Sequence, residues 1–235
     1  MKNIVTLLIC ISLNLLASGQ KKVLIFSKTA RYHHESIDAG IIAIQKLGAA
    51  NHFAVDQTVD SSALNEENLK QYAALIFLSP SGNIIDSAGK VAMQNFIRSG
   101  KGFVGIHAAS TIDKNWSWYG KLVGGVFTGH PEPQIATLRV EDKSHSATKF
   151  FPASLSRRDE WYNFRDLQKD LRVLLTVDEK SYKGCENGAY HPIAWYHNYE
   201  GGRSFYTALG HFSEHYNDPL FLKHLLAGIQ YAMQE

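Results

Sequence analysis

Short unbroken apolar runs alternate with segments of helical periodicity through the first half of the chain. Val23 to Ser27, Phe53 to Val55, Ala73 to Leu78 and Phe103 to Ile106 are such runs. A strand covered on both faces loses the apolar–polar alternation, so these runs predict buried parallel strands. Between the first two, Ile37, Ile41, Ile44 and Leu47 recur at helical spacing over Glu35 to Leu47, and Gly48 is the predicted stop. Leu64 to Tyr72 predicts a polar helix after Ser61-Ser62, with Glu66 and Glu67 in its early turns where acidic groups suit the helix dipole. Ser87 to Arg98 predicts a third helix, with Val91, Phe96 and Ile97 facing the core. Strand and helix in this rhythm imply a parallel sheet with right-handed crossovers.

The pattern then changes. Ile135 to Val140 alternates like an antiparallel strand, and Arg172 to Val177 predicts another. Ile193 to His197 and Ser204 to Leu209 flank Tyr199-Glu200-Gly201-Gly202, a hairpin signal. Asp218 to Met233 predicts a closing helix with Phe221, Leu222, Leu225 and Ile229 as its buried stripe. The expected architecture is α/β: one domain over residues 20–235, a doubly wound, flavodoxin-like parallel sheet with antiparallel additions in the C-terminal half.

The N-terminus departs from this pattern. Lys2 is followed by an apolar stretch from Ile4 to Leu16, then by Ala17-Ser18-Gly19. This reads as a signal peptide over residues 1–19, cleaved after Gly19 to leave Gln20, with an uncleaved anchor as the alternative. The stretch is short for a membrane span, so no span is expected after cleavage and the expected location is periplasmic or secreted. Cleavage would remove Cys10 and leave Cys185 alone, so no internal disulfide is expected. Cys185 sits in a polar loop with no histidine next to it in sequence, which favours an unreactive thiol. The formal net charge is +2 and no dense basic stripe is present, so nucleic acid is not an expected partner. The 11 histidines, 11 tyrosines and 4 tryptophans suit a cleft for a polar, ring-shaped ligand, although such residues also fill cores.

Ligands of open parallel sheets bind beyond the carboxyl ends of the strands. That rule selects Thr29 to Ser36, Ser79 to Asn83 and His107 to Thr111. Gly105-Ile106-His107-Ala108-Ala109 places one polar residue among small ones at a strand-to-helix turn, as in a nucleophile elbow. An imidazole there can be a general base, a metal ligand, a ligand clamp or a hydrogen-bonded structural group. His130 in Gly129-His130-Pro131, Glu160 in Asp159-Glu160-Trp161-Tyr162, and His211 in Gly210-His211-Phe212 are further polar groups that converge if their loops share the same edge. No pair has a zinc-protease spacing, so a metal site must be assembled from distant residues.

These segments, in this order, resemble the ThuA-like (trehalose utilisation) family, whose fold is that of class I glutamine amidotransferases. The carriers are Thr29-Ala30-Arg31-Tyr32-His33-His34-Glu35-Ser36-Ile37, Gly102 to Ala109, Gly125-Val126-Phe127-Thr128-Gly129-His130-Pro131, Asp159 to Tyr162, His191-Pro192-Ile193-Ala194-Trp195-Tyr196 and Gly202 to His211. Either His33 or His34 matches the family histidine, and the Ser that follows Glu35 favours His34. The elbow holds His107 where amidotransferases hold a cysteine, which argues against glutamine hydrolysis by that route. The resemblance points to a disaccharide or 3-keto-sugar as substrate, and with the N-terminal signal the leading expectation is an exported enzyme acting on it by proton transfer beside a carbonyl. His107 or His211 is then the expected base and Glu160 the acid or orienting group. Arg31, His34, Trp116, His130, Trp161 and Tyr162 would bind substrate, with Trp116 and Trp161 stacking on the sugar. A divalent metal such as zinc is expected on His107, His130 and His211. The alternatives are a non-catalytic sugar-binding module on the same cleft, or an interaction protein with a vestigial site; the oligomeric state stays open.

Overall fold

The computed structural model describes residues 19–234. The signal read at residues 1–19 and Cys10 therefore fall outside the described residues, Gly19 excepted.

A nine-stranded mixed sheet runs through the molecule in the order β2-β1-β3-β4-β11-β10-β9-β6-β7. Its parallel half is built from β1 (Lys22–Phe26), β2 (Ala54–Thr58), β3 (Ala74–Leu78) and β4 (Gly102–Ile106). Every residue of β3 and β4 is buried, which is why these strands read as continuous apolar runs. The helices α1 (Ser36–Ala50), α2 (Glu66–Leu69) and α3 (Ser87–Arg98) connect them. Asp86 caps α3 by accepting from the backbone N–H of Gly89.

The second half contains α4 (Ser117–Val123), β5 (Val126–Gly129), β6 (Gln134–Val140), β7 (Ser154–Asp159), β8 (Asn163–Arg165), β9 (Arg172–Val177), β10 (Pro192–Tyr199), β11 (Gly202–Thr207) and α5 (Pro219–Met233). Strands β10, β9, β6 and β7 extend the sheet antiparallel, and β5 with β8 forms a separate two-stranded ribbon. The second strand of the expected hairpin is not an antiparallel addition alone: β11 lies parallel to β4 and completes the order 2-1-3-4-5 of a flavodoxin-like sheet. Helix α5 begins with Asp218 accepting from Leu220 N–H and Pro219 in its first turn. It buries Phe221, Leu225 and Ile229 completely, a contribution of roughly 1.5–3 kcal/mol each. Gly102 lets α5 approach β4, since a Cβ there would lie 2.1 Å from the Ala232 carbonyl oxygen.

Three expectations are corrected. Helix α1 continues past Gly48 to Ala50; Gly48 is buried within it, and the missing Cβ makes room for Val55 and the Phe53 carbonyl. The polar helix over Leu64 to Tyr72 shrinks to the single turn of α2, preceded by a 3-10 turn at Ser61–Ala63, because Leu64 and Leu69 supply its buried anchors. Val91 is exposed, since α3 turns Ala92, Met93, Phe96 and Ile97 inward instead. No helix among the described residues is long and apolar enough to cross a membrane.

Candidate metal centre and cleft

At the end of β4 the chain turns sharply. His107 takes φ of +50°, a left-handed conformation costing a non-glycine residue of order 1–3 kcal/mol, and opens a 3-10 turn over His107–Thr111. Tyr206 Oη donates to the His107 carbonyl at 2.9 Å and holds the turn in place. The His107 imidazole is completely buried, with Nδ1 2.7 Å from the Ala208 carbonyl. A carbonyl only accepts, so Nδ1 carries the proton and Nε2 presents its lone pair.

Four donors face one another around that lone pair. His107 Nε2 lies 3.0 Å from His34 Nε2, 3.2 Å from Glu160 Oε2 and 3.3 Å from His211 Nδ1. His211 Nδ1 is 3.4 Å and His34 Nε2 3.9 Å from the same Oε2. All four donor atoms fall within 4.8 Å of one another. A tetrahedral ion with bonds near 2.0–2.1 Å separates its ligands by about 3.3 Å, so this group has the dimensions to hold a metal. Tyr162 Oη reaches the same Nε2 at 3.1 Å.

The electrostatics agree. Burial would raise the Glu160 carboxyl, but the close imidazoles of His107, His211 and His34 outweigh it and hold Glu160 well below the usual carboxylate range. Burial pushes His34 down to about 4; the Glu160 hydrogen bond opposes this, and His107 and His211 add to it. Burial also works to lower His211, but the Glu160 hydrogen bond prevails and raises it. The site thus offers a carboxylate at Glu160 and a neutral imidazole at His34, the forms in which these groups bind divalent ions.

Asp159, fully buried, ties the donor loops together. Its Oδ1 accepts from the backbone N–H of Glu160 at 2.9 Å and of His211 at 3.3 Å, and its Oδ2 from that of Gly210 at 3.3 Å. Arg157 and His215 face the same carboxylate at 3.4 and 3.3 Å. Below Tyr162, buried His191 contacts the Tyr162 carbonyl through Nε2 at 2.8 Å, while its Nδ1 lies 2.9 Å from Glu179.

The donors open into a cleft of about 740 Å³, lined by loops following β1, β3 and β4 as the sheet-edge rule anticipates. Arg31, His34, His130, Glu160, Tyr162 and His211 all line it, and His107 lies just beneath. His130 does not join the expected metal set. Its Nδ1 contacts the other Glu160 oxygen, Oε1, at 3.1 Å, and its ring stacks on Tyr162; His34 and Glu160 stand with His107 and His211 instead. Of the adjacent pair, His34 is buried at the site, while His33 is exposed and bonds Thr29.

Neither tryptophan lines the cleft. Trp161 is 1% exposed and its indole N–H donates to the Gln134 carbonyl at 2.8 Å. Glu160 and Tyr162 point into the cleft and Trp161 between them points away, the alternation of an extended chain. Trp116 stacks on Trp118 and Tyr119 with Lys90 over its ring. The rings that do line the cleft are Tyr32, 64% exposed, together with Phe127 and Tyr162. Nothing local in the sequence marks Tyr32, Phe127 or Lys114 as cleft residues, whereas Asp159 adjoins Glu160 in the same motif. Cys185 lies outside the cleft with its Sγ 3.6 Å from the Glu179 carbonyl.

Comparison with known proteins fits this geometry. The ThuA family model, described as trehalose utilisation, matches residues 22–232. A ThuA-like protein from Bacteroides uniformis is 30% identical in sequence, with a TM-score of 0.77 over 93% of this chain and 94% of its own. Another from Parabacteroides merdae is 16% identical, with a TM-score of 0.73 over 92% and 90%. A GMP synthase component from Thermoplasma acidophilum shares the fold at 12% identity and a TM-score of 0.52, over 92% and 99%. No curated protein matches the chain. The chain belongs to the ThuA, or trehalose utilisation, family and has its glutamine amidotransferase-like fold.

Proposed function

We propose that this protein is an exported carbohydrate-active enzyme that holds a divalent ion, zinc by the chemistry of the donors, on His34, His107, His211 and Glu160, and acts on a disaccharide or 3-keto-sugar. One observation carries the reading: three imidazoles and a carboxylate from four separate segments stand at the mutual spacings of a tetrahedral ligand set. Such an ion supplies a positive charge to polarise a sugar carbonyl or hydroxyl.

The chain's own residues supply the rest. His130, 37% exposed with a carboxylate oxygen at Nδ1, is the imidazole placed to exchange a proton with a substrate in the cleft. That assignment replaces His107 and His211 as base, because both are committed to the donor set. Tyr32 and Phe127 offer apolar faces to a sugar ring, and Asn83, Thr111 and Asn115 offer hydrogen-bonding groups for its hydroxyls. Family membership supports a sugar as the substrate class.

The test is turnover of 3-keto-disaccharides by purified protein loaded with zinc. The account expects product formation that is abolished in His107→Ala and Glu160→Ala and reduced at least about 100-fold in His130→Ala. Sugar binding without turnover would replace the enzyme by a binding module on the same cleft.

A further inference from the structure

Arg31 and Lys114 stand on the cleft wall without a counter-ion. Arg31 lies on the β1–α1 loop three residues before the donor His34, and Lys114 on the loop before α4, its Nζ 4.6 Å above the ring of Phe127. The other arginines are occupied. Arg98, Arg139, Arg157 and Arg165 each hold a carboxylate, Arg158 and Arg172 lie over aromatic rings, and Arg203 donates to the Tyr231 carbonyl. Among the described residues, Arg31 is the arginine whose guanidinium has neither an acceptor nor a ring beside it.

The two carboxylates on the cleft do not neutralise this pair. Glu160 is engaged by histidines, and Glu132, exposed, forms no ion pair with either cation. Lys114 responds to its surroundings: burial lowers its pKa first, and the charges of Arg165 and Arg31 lower it further. Two uncompensated cations in a concave, partly apolar site attract a negative charge more strongly than they would on an open surface.

We propose that the cleft receives an anionic sugar, whose carboxylate or phosphate is held by Arg31 and Lys114 while its hydroxyl or carbonyl oxygens reach the end formed by His34, His107, His211 and Glu160. This deepens the sugar reading above and rests on it. Arg31 supplies the planar fork that pairs with two oxygens of such a group, and Lys114 a mobile point charge beside it. The pair therefore acts in selecting substrate, and the donor set in acting on it.

The experiment compares glucose, glucuronate and glucose 6-phosphate as probes, titrated into the purified chain at low and high salt. At least one anion should bind about tenfold or more tightly than glucose, with the advantage shrinking as salt rises. Glucuronate as the tighter ligand identifies a carboxylated substrate, and glucose 6-phosphate a phosphorylated one. Arg31→Gln and Lys114→Met should each remove most of the preference while leaving zinc binding unchanged, because neither residue belongs to the donor set. Equal binding of glucose and both anions, binding of neither anion, or a preference that survives both substitutions would overturn the proposal. Zinc titration of the same samples separates the two readings: intact zinc binding without anion preference rejects this inference alone, and anion preference without zinc binding rejects the metal centre alone.

Discussion

Replacing Asp159 with asparagine changes one buried atom pair and leaves every donor side chain in place. Both carboxylate oxygens of Asp159 are occupied by N–H groups: Oδ1 by those of Glu160 and His211, Oδ2 by those of Gly210 and Arg157. An asparagine amide must turn its NH2 toward one of these pairs, so two donors face a donor in either orientation. Hydrogen bonds to a charged acceptor contribute about 1.5–3 kcal/mol, and the long distances of all but the Glu160 bond argue for the lower end. The variant should lose about 3 kcal/mol in stability, and its loosened 159–160 and 210–211 segments should bind zinc roughly 10–100-fold more weakly. Denaturant unfolding of the metal-free chain reads the first effect, and competition against a chelating dye the second. Asp218→Asn is the control. Asp218 pairs with the same Arg157 at 2.7 Å and caps α5, yet touches no donor loop. It should cost about 1 kcal/mol with zinc affinity unchanged. Equal zinc affinity in Asp159→Asn and the parent protein would refute the positioning role.

Other expectations follow from single contacts. His224 is fully buried with Nδ1 2.9 Å from the Ala147 carbonyl, Nε2 without a partner, and a pKa pushed down by burial from 6.5 to about 4. Because the unfolded chain takes up the proton first, stability from neutral His224 is complete above pH 6.5 and declines by roughly 3 kcal/mol as pH falls toward 4. His224→Phe should flatten that part of the pH–stability curve in denaturant melts, and an unaltered slope would rule the assignment out. Trp161→Phe should cost about 1–2 kcal/mol through the lost bond to Gln134 while leaving sugar affinity intact. Tyr32→Ala should do the reverse, weakening sugar binding with little change in melting temperature; calorimetry on the two variants with one sugar decides which ring is used.

What the sequence revealed tracks how each element is buried. Ala74 to Leu78 and Gly102 to Ile106 are covered on both faces, so hydrophobicity alone marks them. Strand β7, Ser-Leu-Ser-Arg-Arg-Asp, pairs only with β6 at the sheet edge; its polar composition gave no periodic signal and it went unread. Strands β5 and β8 are equally short on pattern because they form a two-stranded ribbon beside the main sheet. Helix α4 has only seven residues, two turns that carry little periodicity.

The site divides in the same way. His107 was visible because a turn at positive φ needs small neighbours, here Gly105, Ala108 and Ala109. The exclusion of His130 from the donor set was not, since no local pattern distinguishes contact with Oε1 of Glu160 from contact with Oε2. The choice of Trp161 as a stacking ring failed on alternation, which buries it between two cleft residues. The unpaired state of Arg31 became apparent only once the partners of the other arginines were placed.

The central claim is that His34, His107, His211 and Glu160 form one metal site. Titration of zinc into chelator-treated protein, followed by calorimetry, measures it directly. The account predicts one equivalent bound tightly, with release of protons, and loss of that binding in both His34→Ala and His211→Ala. No saturable binding, or binding undiminished by either substitution, would contradict it.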